Sequence, residues 1–596
     1  MYAELDGNEI WVRCNFAENK LVSSVPGMRF HKGKDMWRVP ATWAACLTMR
    51  AVYGSALELG PKLIEWGRWQ AKREQQLKLV GEAMGIPAEV DIYDDRLFGY
   101  QRAGAEFLAD AGRAILGDDP GLGKTAQTIS ALKGMHDQGI DIFPIVIICP
   151  NSLKKNWEKE FAIWWPDFPG AVQVIDGPVA RRRKYLESDA LVYIINWEAV
   201  RLHSRLDGYG SIRLKTCAKC GGLENARPDE EYKAAVPEAK CEKHPRELNK
   251  LAPKTVIVDE AHRGRNQDAK MTRAMWAVMS QAKYRFMLTG TPIEDNVGDM
   301  WALLHGLDPE AFPVRSKFLD TFAVTHLNFF GGFEVLGLKP AMADTFRRIL
   351  ATYLRRVPKE VALPQLPPKL PTQYRYVQMK PQQAKQYKQM KEGMFTLLDG
   401  ETPITASNAA AQFAHLRQFA SATGSYDPVT GKVTLSDPSS KIDELIDFMH
   451  DEGQPVVVAA ESRKLLELAG KRLESEKFRV GYITGAQSID ERDVAVREFQ
   501  GGKLDAVLVN GAGAEGITLT RADTLVFLEQ FGSNTKNKQM IDRIHRIGSE
   551  RHAAVRIIVI VAEDTIETNR EYNLWVKEER GQEVIQDKER IRRMLK

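Results

Sequence analysis

The sequence predicts an α/β protein: two parallel-sheet lobes in tandem, a small N-terminal α+β unit, and an insertion in the first lobe. Three observations carry this. From about residue 95, short β-branched runs alternate with helical patterns, the order that covers a parallel sheet on both faces. The alternation restarts after a proline-rich stretch, a helical segment and a Gly/Ser/Asp/Pro-rich loop from Ser421 to Ser440. A chain of 596 residues has room for several cores.

Residues 1–60 read as a compact α+β unit ending in the helix-like "ATWAACLTMRAVYG", and 61–90 as a helical linker closed by Gly85 and Pro87. The first lobe, 91–355, carries the strand-like runs "RAILGDD", "PIVIICP", "VQVID", "LVYIIN", "TVIVDE" and "YRFMLTG", with an insertion over 212–250. Residues 356–435 read as a helical brace and linker. The second lobe, 436–570, carries "PVVVAA", "FRVGYITG", "DAVLVN", "TLVFLE" and "VRIIVIVA", and 571–596 read as a solvated mixed-charge helix.

Composition narrows the class. The 44% hydrophobic and 27% charged fractions are those of a soluble globular protein, and the longest apolar runs are too short to span a bilayer. "MYAELDGNEI" has no basic or apolar region of a signal peptide. A net charge of +4 makes no nucleic-acid claim by itself. Six cysteines argue against a disulfide scaffold and for a reducing compartment. The expected location is cytoplasmic, and the lack of long disordered tails favours a prokaryotic or viral-host setting.

The chemistry starts at "ILGDDPGLGKTAQTI". Gly123, Lys124 and Thr125 complete a phosphate-loop pattern whose first glycine is replaced by Asp118. An apolar strand precedes the loop and a helical pattern follows. The N–H groups of Gly121 to Thr125 would cradle phosphate oxygens, Lys124 would reach the β/γ-phosphates, and Thr125 would ligate Mg²⁺. In "KTVIVDEAHRGRN", Asp259 and Glu260 end a strand, one suited to the metal shell and one to activating a water. Together the two motifs specify an ATPase. In "DRIHRIG", Arg543 and Arg546 stand three apart, so on a helix they would share a face and could reach a γ-phosphate from the second lobe.

These motifs resemble those of superfamily 2 helicases, and among them the Swi/Snf-type DNA translocases, whose loop opens on aspartate. "VIVDEAH" is similar to their DEAH-type box. "VIICPNSLKKNWEKEF", "FMLTGTPIEDNVGDMWALL", "YLRRVPKEVALPQLPPK", "YITGAQSIDERDVAVREFQ", "GAGAEGITLTRADTLVFLE" and "QMIDRIHRIGSE" resemble further family elements, from Leu97 to Glu567. The resemblance implies two RecA-like lobes and an ATP site including Gln101 as adenine reader, Asp118, Gly121, Gly123, Lys124, Thr125 and Gly516. It implies coupling through Thr289, Gly290, Thr291 and Gln539, and DNA contacts at Ser152, Asn196 and Thr518, with Lys154 and Lys155 as helpers. Arg181 to Lys184 read as a solvated charge run that could touch phosphate. The chain departs from the family at Ser549, where a glutamine is usual, and at Glu461-Ser462, in place of an aromatic element.

The insertion holds Cys217, Cys220, Cys241 and His244 as C-x2-C, twenty residues, C-x2-H. Four such ligands with no open position indicate a structural Zn²⁺. At the N-terminus, Val25-Pro26-Gly27, Trp37 and Pro40 resemble the HARP domain of annealing helicases, which implies binding to forked or junction DNA. A small sheet with Trp37 and Phe30 as core is the structural alternative. The expected activity is ATP-driven movement on double-stranded or forked DNA, extending to annealing or fork remodelling. The alternatives are a strand-separating helicase and a catalytically silent DNA-binding scaffold.

Overall fold

The computed structural model describes residues 1–87, 91–208, 241–290, 297–327, 333–399, 406–427, 432–452, 455–511, 513 and 516–569. The chain divides into two compact units, Met1–Ala362 and Leu363–Lys596.

In the first unit a seven-stranded sheet runs in the order Leu354–Arg355, Arg113–Leu116, Tyr284–Leu288, Thr255–Asp259, Ile145–Cys149, Val192–Asn196, Val172–Val174. Every pairing is parallel. Alternate side chains serve opposite cores, as strand geometry dictates. Val256 and Val258 join Val146, Ile148 and Trp301 on one face, while Ile257 joins Ile145, Ile147 and Phe107 on the other. Each such side chain, fully buried, contributes ~1.5–3 kcal/mol. All six expected strands form. The seventh, Leu354–Arg355, lies in a stretch not expected to be a strand.

The second unit repeats the plan with six parallel strands, in the order Gln373–Val377, Arg556–Ala562, Thr524–Phe527, Val456–Ala459, Ala506–Val509, Val480–Ile483. Its five expected strands form, and Gln373–Val377 adds an edge from within the stretch read as brace and linker. The expected loop at Ser421–Ser440 contains paired antiparallel strands, Thr423–Asp427 and Lys432–Ser436, the second of which alternates polar and apolar residues. The C-terminal 571–596 helix lies outside the described residues. Among the described residues no helix is long and apolar enough to cross a membrane.

Residues 1–60 fold as a five-stranded sheet, ordered Arg29–His31, Met36–Pro40, Glu9–Arg13, Tyr2–Asp6, Glu58–Leu59, over the helix Trp43–Tyr53. Trp37 packs against its core, but Phe30 is 44% exposed, so the expected Trp37–Phe30 core is half right. The linker helix Pro61–Glu82 fastens this sheet to the first lobe. Its Glu74 accepts two bonds from Arg348, both 2.8 Å, and one from the Trp43 indole, 2.9 Å. These contacts explain why residues 1–60 belong to the first unit and do not stand alone.

Candidate nucleotide site

The register of the first sheet aligns Leu116 with Leu288, and Leu288 with Asp259. The phosphate loop, Thr289-Gly290 and Asp259-Glu260 therefore leave three neighbouring strands at one carboxyl edge, where parallel α/β sheets bind ligands.

The loop turns through glycines at φ +88° (Gly121) and +74° (Gly123), which only glycine adopts without strain. It feeds the helix Lys124–Asp137, whose first N–H groups lack intrahelical partners and suit an anion. The Lys124 ammonium donates to the backbone carbonyls of Asp118 (2.7 Å) and Asp119 (3.4 Å). Thr125 follows it, half-buried. Gly290 backs onto the loop: a Cβ there would lie 2.7 Å from Pro120 Cγ and 3.4 Å from Lys124 Nζ.

Two expected nucleotide residues have jobs within the chain. The Gln101 carbonyl accepts the Phe98 N–H (2.9 Å) and its amide donates to the Leu122 carbonyl (3.1 Å), so it braces the loop. Asp118 is fully buried, with its carboxylate accepting from Gln127 Nε2 (3.1 Å) and the Val357 N–H (2.9 Å). Burial pushes this carboxyl above the ordinary range, against the pull of Arg355. Asp118 thus meets the site through its backbone carbonyl, and its side chain points into the protein.

Asp259 is held by two indoles. Trp157 donates to its Oδ2 (3.0 Å) and Trp197 to its backbone oxygen (2.9 Å). Neither tryptophan was singled out from sequence, although a buried indole needs an acceptor. Burial, then the Glu260 charge, pushes the Asp259 carboxyl up to about 6. Glu260 sits at φ +50°, a strained position for a side-chain-bearing residue. His262 Nδ1 lies 3.2 Å from Glu260 Oε2 and 3.4 Å from Thr289 Oγ1, linking the Asp259-Glu260 and Thr289-Gly290 turns. Thr291 lies outside the described residues.

In the second unit, Arg543 lies in the last turn of the helix Asn534–Ile544, on which Gln539 is half-buried. The expected continuous helix is not formed. His545 leaves helical geometry (φ −105°, ψ 81°) and is bound at Nε2 to the Pro367 carbonyl (2.9 Å), so Arg546 follows in a turn. The two arginines nevertheless converge on one segment. Leu519 N–H donates to the Arg543 carbonyl (2.9 Å) and Arg546 donates to the Ile517 carbonyl (3.4 Å), beside Gly516 (φ +77°) and Thr518. Ser549 is buried and its N–H donates to the Arg546 carbonyl (2.9 Å). Glu461 accepts from Arg417 (2.8 Å) and the Gly532 N–H (3.1 Å), so the departing residues are built into the unit.

Ser152 lies in the short turn Asn151–Leu153, and Asn196 precedes the helix Trp197–His203, its side chain donating to Glu198 (2.7 Å). Lys155 is exposed, but Lys154 is not the expected helper. It is 4% exposed, and its ammonium donates to Asp176 (3.0 Å) and the Ile175 carbonyl (3.2 Å). Arg181 to Lys184 ride the helix Val179–Leu186, where Arg183 pairs with Glu247 (2.9 Å). Of the zinc-type ligands, Cys217 and Cys220 lie outside the described residues. Cys241 is buried and its sulfur accepts the Lys243 N–H (3.3 Å), with His244 in the same turn. Among the described residues no group of three metal-ligating side chains is assembled.

The profile of the SNF2-related domain matches residues 69–422, and that of the helicase conserved C-terminal domain matches 440–548. Protein CHROMATIN REMODELING 5 of Arabidopsis thaliana is 26% identical over 489 residues, 78% of this chain and 26% of that protein. DNA excision repair protein ERCC-6 of Mus musculus is 24% identical over 535 residues, 83% and 34% of the two chains. The ISWI chromatin-remodeling complex ATPase CHR17 of Arabidopsis thaliana is 25% identical over 487 residues, 79% and 41%. The chain thus spans less than half the length of these curated relatives. Among solved structures, the Sulfolobus solfataricus SWI2/SNF2 ATPase core in complex with dsDNA is similar at TM-score 0.37 and 23% identity, covering 86% of this chain and 99% of that one.

Proposed function

Because the chain belongs to the SNF2-related domain family, we propose that it is a DNA-dependent ATPase that couples ATP hydrolysis to movement along double-stranded or forked DNA. The observation that carries this reading is the convergence of Lys124, Asp259, Glu260 and Thr289 at one sheet edge. Lys124 and the N–H groups of Gly121 to Thr125 bind the phosphates, on a loop that Gln101 braces from within. Thr125 and Asp259 would hold Mg²⁺, whose positive charge would offset that of the phosphate oxygens. A buried carboxylate with a raised pKa fits that role, since a neighbouring cation restores its charged form. Glu260, oriented by His262, deprotonates the attacking water. Arg543 and Arg546 stabilise the charge developing on the transferred phosphate.

Thr289, Gly290, Thr291 and Gln539 pass the state of the nucleotide to the grip on DNA, which uses Ser152, Asn196 and Thr518. The packing of Gly290 makes one part testable. Gly290→Ala forces Pro120, and with it the loop that carries Lys124, to shift, and lowers ATP turnover about ten- to a hundredfold with unchanged circular dichroism. Turnover equal to the parent contradicts that contact.

The N-terminal sheet adds a second DNA surface, which suits reannealing or fork remodelling. Lys34 stands 4.0 Å and Arg38 5.8 Å from the Trp11 ring, with Arg29, Phe30 and Lys32 exposed nearby. The pattern of Cys217, Cys220, Cys241 and His244 would supply four ligands to a structural zinc, so metal analysis of the full chain is expected to read about one zinc per chain. Substoichiometric zinc refutes it. The experiment for the activity itself is ATP turnover with single-stranded, duplex and forked DNA in parallel. Duplex or forked DNA raises turnover severalfold; a rate indifferent to all three contradicts a DNA-dependent motor.

A further inference from the structure

Beside the phosphate loop runs a second segment, 353–359, held to it by a continuous ladder. Ile115 N–H donates to the Tyr353 carbonyl (2.6 Å), Gly117 to Arg355 (2.7 Å) and Asp119 to Val357 (3.2 Å). Two carboxylates extend that ladder past the end of the strand. Asp118 accepts the Val357 N–H and Asp119 accepts the Lys359 N–H, both at 2.9 Å. The chain passes into the second unit at Leu363.

The far side of the segment is clamped. Arg355 donates to the carbonyls of Val80 (2.8 Å), Gly81 (2.7 Å), Ala83 (2.9 Å) and Tyr100 (2.9 Å). The Asp119–Lys359 bond thus lies between that clamp and the exit at Leu363. On the loop side, the carbonyls of Asp118 and Asp119 are held by the Lys124 ammonium. Phosphate oxygens compete for that same ammonium, so nucleotide binding acts directly on the two residues that carry the tethers.

We propose that Asp119 is a positioning residue whose carboxylate ties the phosphate loop to the segment leading into the second unit, so that nucleotide-dependent shifts of the loop are passed on as movement. This rests on the reading of the chain as an ATP-driven motor. The side chain takes no part in phosphate transfer; it acts through the Lys359 backbone. The bond is charge-assisted, and a neutral amide oxygen can replace its geometry.

The test measures triplex displacement and ATP hydrolysed in the same reaction, with the full chain. In Asp119→Ala, displacement per ATP falls at least about tenfold, the scale of one charge-assisted hydrogen bond. Asp119→Asn restores most of it, because its carbonyl still accepts the Lys359 N–H. Unchanged displacement per ATP in Asp119→Ala overturns the proposal. So does a proportional fall in hydrolysis and displacement, as a merely misfolded loop would give, or failure of the asparagine to rescue. A parent chain that hydrolyses ATP on duplex DNA without displacing the third strand overturns the motor reading itself, a result separable from any behaviour of the variants.

Discussion

Lys124→Ala lowers DNA-stimulated ATP turnover about a hundred- to a thousandfold, measured by phosphate release under saturating duplex. The ammonium donates to the Asp118 and Asp119 carbonyls at the start of the loop, from the first residue of the helix Lys124–Asp137. Its loss removes a charge where the transferred phosphate gains one, and leaves the Asp118 and Asp119 carbonyls to water. The loop is partly open, so the fold survives. Turnover within a factor of about three of the parent contradicts the assignment of this loop as the phosphate site.

Arg355→Met has the largest expected effect on stability. The guanidinium is buried and satisfies four backbone carbonyls from the end of the linker helix and the start of the next one. It is also the leading opposing charge to the buried Asp118. Methionine fills comparable volume but leaves the carbonyls unpaired and Asp118 without its cation. The first unit loses about 3–5 kcal/mol, read as a shift of its unfolding midpoint in urea. A loss below about 1 kcal/mol contradicts the view that Arg355 ties the N-terminal residues to the nucleotide lobe.

The sheets were legible because their strands are apolar on both faces and flanked by turns, as in "PIVIICP" and "TVIVDE". What was missed lacks that signature. Leu354–Arg355 is too short to show a period and becomes a strand only by pairing with Arg113–Leu116. Gln373–Val377 is an edge strand with Tyr374 and Tyr376 exposed, so it shows no doubly buried run.

The site was legible to a similar degree, and for a similar reason. Local motifs placed Lys124, Asp259 and Glu260 at strand ends, which a parallel sheet then brings together. The role of Asp118 was not legible, since its partner Val357 lies 239 residues away. Sequence spacing put Arg543 and Arg546 on one helical face, but the buried contact of His545 with Pro367 ends the helix between them. Long-range hydrogen bonds, invisible in a local pattern, decided both cases. Aspartate in place of the first loop glycine is therefore a structural feature: it exchanges a close backbone approach for a buried tether.

The most direct test of the account is displacement of a third strand from a DNA triplex by the full chain with ATP and Mg²⁺, beside unwinding of a forked duplex. The account predicts ATP-dependent triplex displacement that Lys124→Ala abolishes. Robust unwinding of the fork without triplex displacement would contradict it and leave a strand-separating helicase in its place.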